Sequence, residues 1–126
     1  MNEGTLRFKF SAGITIEQPQ AYFSMFPLRH ITNFLLVDVN ITNDEYLQIV
    51  PKLHLLAMLT RVDFSKNKLR IKDAADNEMV VSTKALLDAI TSIITIELVG
   101  NDINSSYIAT TMNSEQLKKL KIAAEK

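Results

Sequence analysis

Eight residues rich in branched side chains, Phe34 to Ile41 (FLLVDVNI), run directly into Thr42, Asn43, Asp44 and Glu45. The first stretch has the composition of a buried strand. The second is a capping box, in which the Thr42 hydroxyl and the Glu45 carboxylate satisfy each other's orphan amides at a helix start. A strand handed straight to a helix excludes an all-β or all-helical chain. It also fixes the alternation against which the other segments are read.

Tyr46, Ile49, Val50, Leu53, Leu56 and Leu59 follow on one helical stripe. Pro51 removes one hydrogen bond from it, so a kinked helix to about Leu59 is expected. Upstream, Leu6, Phe8 and Phe10 alternate with Thr5, Arg7 and Lys9, and Ile14 and Ile16 resume the pattern after Gly13, which predicts two strands. Pro19 to Phe26 reads as a short helix closed by Pro27.

Downstream, Val62 to Phe64, Leu69 to Lys72 and Met79 to Val81 are separated by turn-forming residues and predict a three-strand meander. Ser82 or Thr83 caps a short helix, Ile93 to Val99 (IITIELV) is the most strand-like run, and Tyr107 to Thr111 predicts another strand. Asn113 with Gln116 opens a last helix. With hairpins outnumbering crossovers, the expectation is one α+β domain over residues 1–126, an antiparallel or mixed β-sheet with helices packed mainly on one face. No repeat of fixed period stands out.

Fourteen basic and fourteen acidic side chains cancel, so no global field draws this chain to nucleic acid or to an anionic membrane. The absence of cysteine excludes disulfides and thiolate chemistry. The apolar runs fall far short of the roughly 20 residues that span a bilayer, and Met1 to Phe10 is no leader sequence, so no membrane association and a cytoplasmic location are expected.

Chemistry-bearing motifs are sparse. His30 and His54 stand apart from any nucleophile motif and from each other, which is not zinc-ligand spacing. Asp38, Asp44 and Glu45, and Asp73, Asp76 and Glu78, fit turn and cap roles better than a calcium loop. Gly4, Gly13 and Gly100 are too isolated to cradle phosphate. No catalytic residue, metal or cofactor is therefore assigned.

Two surface features remain. Lys66, Lys68, Arg70 and Lys72 recur at two-residue spacing, which places them on one side of an extended segment. Exposed, they could follow a phosphodiester backbone, unless Asp63, Asp73, Asp76 and Glu78 neutralise them across strands. Tyr22, Phe23 and Phe26, with Phe34 nearby, form either a core corner or a partner interface.

The leading functional expectation is a non-enzymatic module that binds a protein partner or itself as a homo-oligomer. Size together with isoleucine and asparagine usage gives it the look of a phage or mobile-element product, placed then in host cytoplasm or virion. The alternatives are nucleic-acid binding through the basic segment, and an enzyme or small-ligand binder with a pocket gathering a histidine and carboxylates.

Overall fold

The computed structural model describes the backbone of residues 5–7 and the whole of residues 31–122. Five short strands form the main sheet: β1 (Thr5–Arg7), β2 (Asn33–Leu35), β3 (Arg61–Asp63), β5 (Thr95–Glu97) and β7 (Leu120–Lys121). They lie side by side in that order, every pair parallel. A second, two-stranded parallel sheet pairs β4 (Arg70–Ile71) with β6 (Asp102–Ile103), and a lone parallel bridge joins Thr42 to Lys68 beside it. The chain is thus a mixed α/β protein with a parallel sheet, and the expected antiparallel or mixed pairing is corrected.

From β2 onward, the chain runs through a helical segment between one main-sheet strand and the next. Helix α1 (Asn43–Leu53) leads from β2 to β3. A 3-10 turn (Ala74–Asp76) and α2 (Asn77–Ala89) lead from β3 to β5. Helices α3 (Ser105–Thr111) and α4 (Ser114–Lys118) lead from β5 to β7. The coils begun by β2, β3 and β5 stack on one another, and the strand register is uniform: Thr5, Asn33, Arg61 and Thr95 are abreast, then Ile96 and Leu120.

The coils share one apolar rule. Ile31, Phe34, Leu36 and Ile41 correspond to Leu59, Val62, Phe64 and Leu69, and these to Ile93, Ile96, Leu98 and Ile103. All point inward and all but the half-buried Ile103 are buried. The middle of this core is aromatic, with the Phe64 ring 5.9 Å from Phe34 and 4.9 Å edge-on from Tyr46 of α1. The Tyr46 hydroxyl lies 2.6 Å from Thr83 Oγ1, which donates in turn to the Met79 carbonyl (2.8 Å), so Tyr46 is the donor. Burial pushes the Tyr46 hydroxyl up to about 12.

The coils are also tied by asparagine. Asn67 is buried; its Nδ2 donates to the carbonyls of Leu36 (2.7 Å) and Phe64 (2.8 Å), and its Oδ1 accepts from the amides of Val39 and Ile41. One coil later, Asn101 donates to the carbonyls of Phe64 and Leu98 and accepts from the Leu69 amide, each at 3.0 Å. A carboxamide alone carries both donor and acceptor in one plane, so it can satisfy the carbonyl and amide of a turn that bends away from its sheet partner.

Several sequence readings are corrected here. Residues 62–64 and 69–72 do not form a hairpin, because the backbone of each pairs with a neighbouring coil. Met79 to Val81 lies in α2, whose buried Met79, Val80, Thr83, Leu86 and Leu87 keep helical spacing, and Tyr107 to Thr111 is α3. Packing on the core overrides the β-propensity of their valines, isoleucine and threonines. The strand read over Phe34 to Ile41 ends at Leu35, since Asp38 and Asn40 adopt positive φ. Helix α1 stops at Leu53. Beyond Pro51 the bonds tighten to three-residue spacing, from His54 to Pro51, Leu55 to Lys52 and Leu56 to Leu53. Both capping boxes, Thr42 with Glu45 and Asn113 with Gln116, are present.

Candidate functional site on the outer sheet face

Alternation along β2, β3 and β5 sends one set of side chains into the core and the other to the opposite face of the main sheet. Parallel register then lines the outer set up in rows. Asn33, Arg61 and Thr95 form one row, and Leu35, Asp63, Glu97 and Lys121 the next. Helices α1 and α2 pack their buried faces into the core.

The centre of this face is an interlocked charge cluster. Arg61 Nη2 donates to Asp63 Oδ2 on its own strand (3.1 Å), and Arg61 Nε donates to Glu97 on the next. The other Asp63 oxygen accepts from the Ser65 amide at 2.9 Å. The carboxylates sit low, 9% and 15% exposed, while the Arg61 side chain is 42% exposed. A guanidinium is therefore presented to solvent in one fixed orientation. The hydrogen bond it donates to Glu97 holds the Arg61 pKa above the ordinary arginine value, aided by the charges of Glu97 and Asp63. Thr95, the register partner of Arg61, is half-buried beside the cluster, and Ile94, its neighbour in sequence, is 71% exposed.

The basic segment is placed on a different side. Lys66, Lys68 and Arg70 are exposed and Lys72 is half-buried, while the alternating Asn67, Leu69 and Ile71 are buried. The four cations do share an outward side, although they belong to a turn and a two-residue strand rather than to one long strand. Two are paired: Arg70 with Asp76 (3.4 Å) and Lys72 with Asp102 (2.8 Å). Lys72 holds the Asp102 carboxyl below its ordinary value. Asp63, one of the acids expected to neutralise this segment, is instead engaged by Arg61.

Tyr22, Phe23, Phe26 and His30 lie outside the described residues. His54 is exposed at the C-cap of α1. Asp73 and Glu45 serve as cap and capping-box residues, and Asp76 accepts from the Lys72 amide. An open groove beside α1 and α2 is lined by Leu47, Ala74, Ala75, Asn77, Glu78 and Val81, with no histidine among them. Among the described residues no group of three histidine, cysteine or acidic side chains converges, and no helix is long and apolar enough to cross a membrane.

Sequence reading missed the outer-face cluster. Its signal was the shared spacing of Arg61-Val62-Asp63 and Thr95-Ile96-Glu97 within the two apolar frames, visible once Asn67 and Asn101 are aligned. No protein-family model matches this chain, and no curated protein resembles it in sequence.

Proposed function

We propose that this chain is a short solenoid of the leucine-rich-repeat type that binds a protein partner across the outer face of its main sheet. Three coils carry apolar residues in the order L-x-x-L-x-L, with an asparagine and a further apolar residue following in two of them, one strand per coil, which is the signature of that architecture. Their spacing departs from a strict repeat, at 28 residues from Asn33 to Arg61 and 34 from Arg61 to Thr95. The longer coil accommodates the 3-10 turn and the 13-residue α2.

The observation that carries the binding reading is Arg61, fixed by Asp63 and Glu97 on the outer face of the main sheet with its side chain 42% exposed. An ordered arginine loses little freedom on binding, and arginine is enriched among interface anchors. Its acids occupy the cationic charge, so the remaining N–H groups and the guanidinium plane suit neutral acceptors and aromatic rings.

The test compares capture of a partner from the native source by wild type, by Thr95→Arg on the outer face, and by Gln48→Arg on the exposed side of α1. Loss with Thr95→Arg alone supports the reading. Equal capture by all three, or loss with Gln48→Arg alone, contradicts it.

Nucleic-acid binding through Lys66, Lys68, Arg70 and Lys72 is the weaker reading, because Asp76 and Asp102 draw two of the four cations into ion pairs. Retention on DNA or RNA at low salt that is abolished by replacing all four with glutamine would reinstate it.

A further inference from the structure

The segments leading into β3 and β5 carry almost no charge. Residues 53–60 and 89–96 contain no aspartate, glutamate, lysine or arginine. They also lie side by side. The Ser92 hydroxyl is shared between the carbonyls of Ala57 (3.4 Å) and Leu59 (2.5 Å), on either side of Met58, and the Ile94 amide donates to the Thr60 carbonyl at 2.8 Å. Leu56, Leu59, Ile90 and Ile93 of these segments are buried, whereas Leu55, Met58 and Ile94 are 56%, 53% and 71% exposed. Among the described residues Val81 is the one further large apolar side chain exposed to this degree.

These segments run directly into the outer-face cluster, because Thr60 precedes Arg61 and Ile94 precedes Thr95, the register partner of Arg61. Depletion of charge together with methionine and arginine is the composition that sets the centre of a protein interface apart from ordinary surface. Electrostatics narrow the partner further. Asp63 and Glu97 answer Arg61, and Lys121 is the register partner of Glu97, so two acids and two bases balance across the face and neither sign of partner is favoured. What Arg61 still offers is the plane of its guanidinium, on which an aromatic ring stacks. The described residues of a second copy present no such ring, since each of their phenylalanines and tyrosines is buried or half-buried.

Resting on the outer-face reading above, we propose that the partner is an uncharged segment of a different protein, one aromatic side chain of which stacks on the Arg61 guanidinium while apolar neighbours cover Ile94 and Met58. Removing those two side chains from water supplies the driving force. The ring supplies the specificity, because the acids already hold the guanidinium in one orientation and little freedom is lost when it is covered. A segment rich in glutamate or lysine would bring its charges against apolar surface with no counter-charge to meet them.

The test titrates the full chain, observed by nuclear magnetic resonance, with a ten-residue peptide of alternating serine and leucine that carries one central tryptophan. Saturable binding should move the Arg61 Nε–H signal upfield, under the ring, and shift the amides of Met58 and Ile94. Replacing the tryptophan by alanine, replacing the serines by glutamate, or combining Met58→Ser with Ile94→Ser in the protein should each weaken binding at least about tenfold. Val81→Ser, on α2, should leave it unchanged. No saturable binding, equal binding without the tryptophan, or equal binding by the Met58→Ser, Ile94→Ser protein would overturn the proposal. So would the same shifts appearing with rising protein concentration and no peptide, which would mean that a second copy covers this surface. Capture from the native source separates the two readings: loss with Thr95→Arg but full capture by the Met58→Ser, Ile94→Ser protein overturns this proposal and leaves the outer-face reading standing, whereas full capture by Thr95→Arg overturns both.

Discussion

Asn67 Nδ2 lies 2.7 Å from the carbonyl oxygen of Leu36, a contact that crosses from one coil to the one before it. The same side chain receives the amides of Val39 and Ile41, so one carboxamide serves three backbone groups of a turn that no strand pairing reaches. Asn67→Ala leaves those groups unpaired in a buried setting, and should lower stability by about 2 to 4 kcal/mol. Asn67→Asp should be comparably damaging, because a carboxylate cannot donate to Leu36 and Phe64. Asn101, half-buried, should cost about 1 to 2 kcal/mol on replacement by alanine. Urea unfolding of the three variants checks the order.

Turn geometry supports a second prediction. Asp38, Lys66 and Gly100 occupy equivalent positions of three coils and all have positive φ, of 57°, 60° and 81°. Gly100 also lies against Lys66, where an added Cβ would come within 3.1 Å of the Lys66 Cγ and 3.2 Å of its Cα. Gly100→Ala should therefore destabilise by about 1 to 2 kcal/mol. Lys66→Gly should be neutral or stabilising by up to about 1 kcal/mol, since it relieves a left-handed lysine. Thermal melts of both proteins decide.

Arg61 supports a third. Arg61→Met removes the guanidinium from two carboxylates that have little exposure, and should reduce stability by about 1 to 2 kcal/mol. Adding Glu97→Gln should recover part of that loss, because one of the two stranded charges is then gone. A double-mutant cycle measures the coupling, and strict additivity would mean that the contact carries no energy.

Alkaline pH supplies a fourth. The Tyr46 hydroxyl titrates near 10 in the unfolded chain and at about 12 in the fold. Above pH 10 the unfolded state therefore binds fewer protons than the native one, and stability falls as pH rises, levelling off near 12. The loss is on the order of 3 kcal/mol over that interval. Tyr46→Phe should flatten this decline at the cost of about 1 kcal/mol at neutral pH, from the lost bond to Thr83. Urea midpoints at pH 8, 10 and 11 for both proteins give the comparison.

What could be read from the residues was local. Thr42 with Glu45, and Asn113 with Gln116, announced helix starts because a capping box is written within four positions, and IITIELV announced β5. The stacking was not legible, because the coil steps from Asn33 to Arg61 and from Arg61 to Thr95, 28 and 34 residues, are unequal, which hides the repeat from any fixed period. Val39 occupies the place that Asn67 and Asn101 hold in later coils, and this removed a third instance of the clearest marker. The meander was read from turn residues Ser65 to Asn67. Those residues do turn the chain, but the Asn67 side chain directs it onto the neighbouring coil rather than back on itself. The outward side of Lys66, Lys68, Arg70 and Lys72 was legible from alternation alone; their pairing with Asp76 and Asp102 depended on the stacking.

The parallel, in-register stacking of coils carries everything else, and cross-strand nuclear Overhauser contacts test it most directly. The account predicts contacts linking Phe34 to Val62 and Val62 to Ile96, with a hydrogen-bond coupling between the Phe64 amide and the Glu97 carbonyl. Contacts that instead pair residues 62–64 antiparallel with residues 69–72 would contradict it.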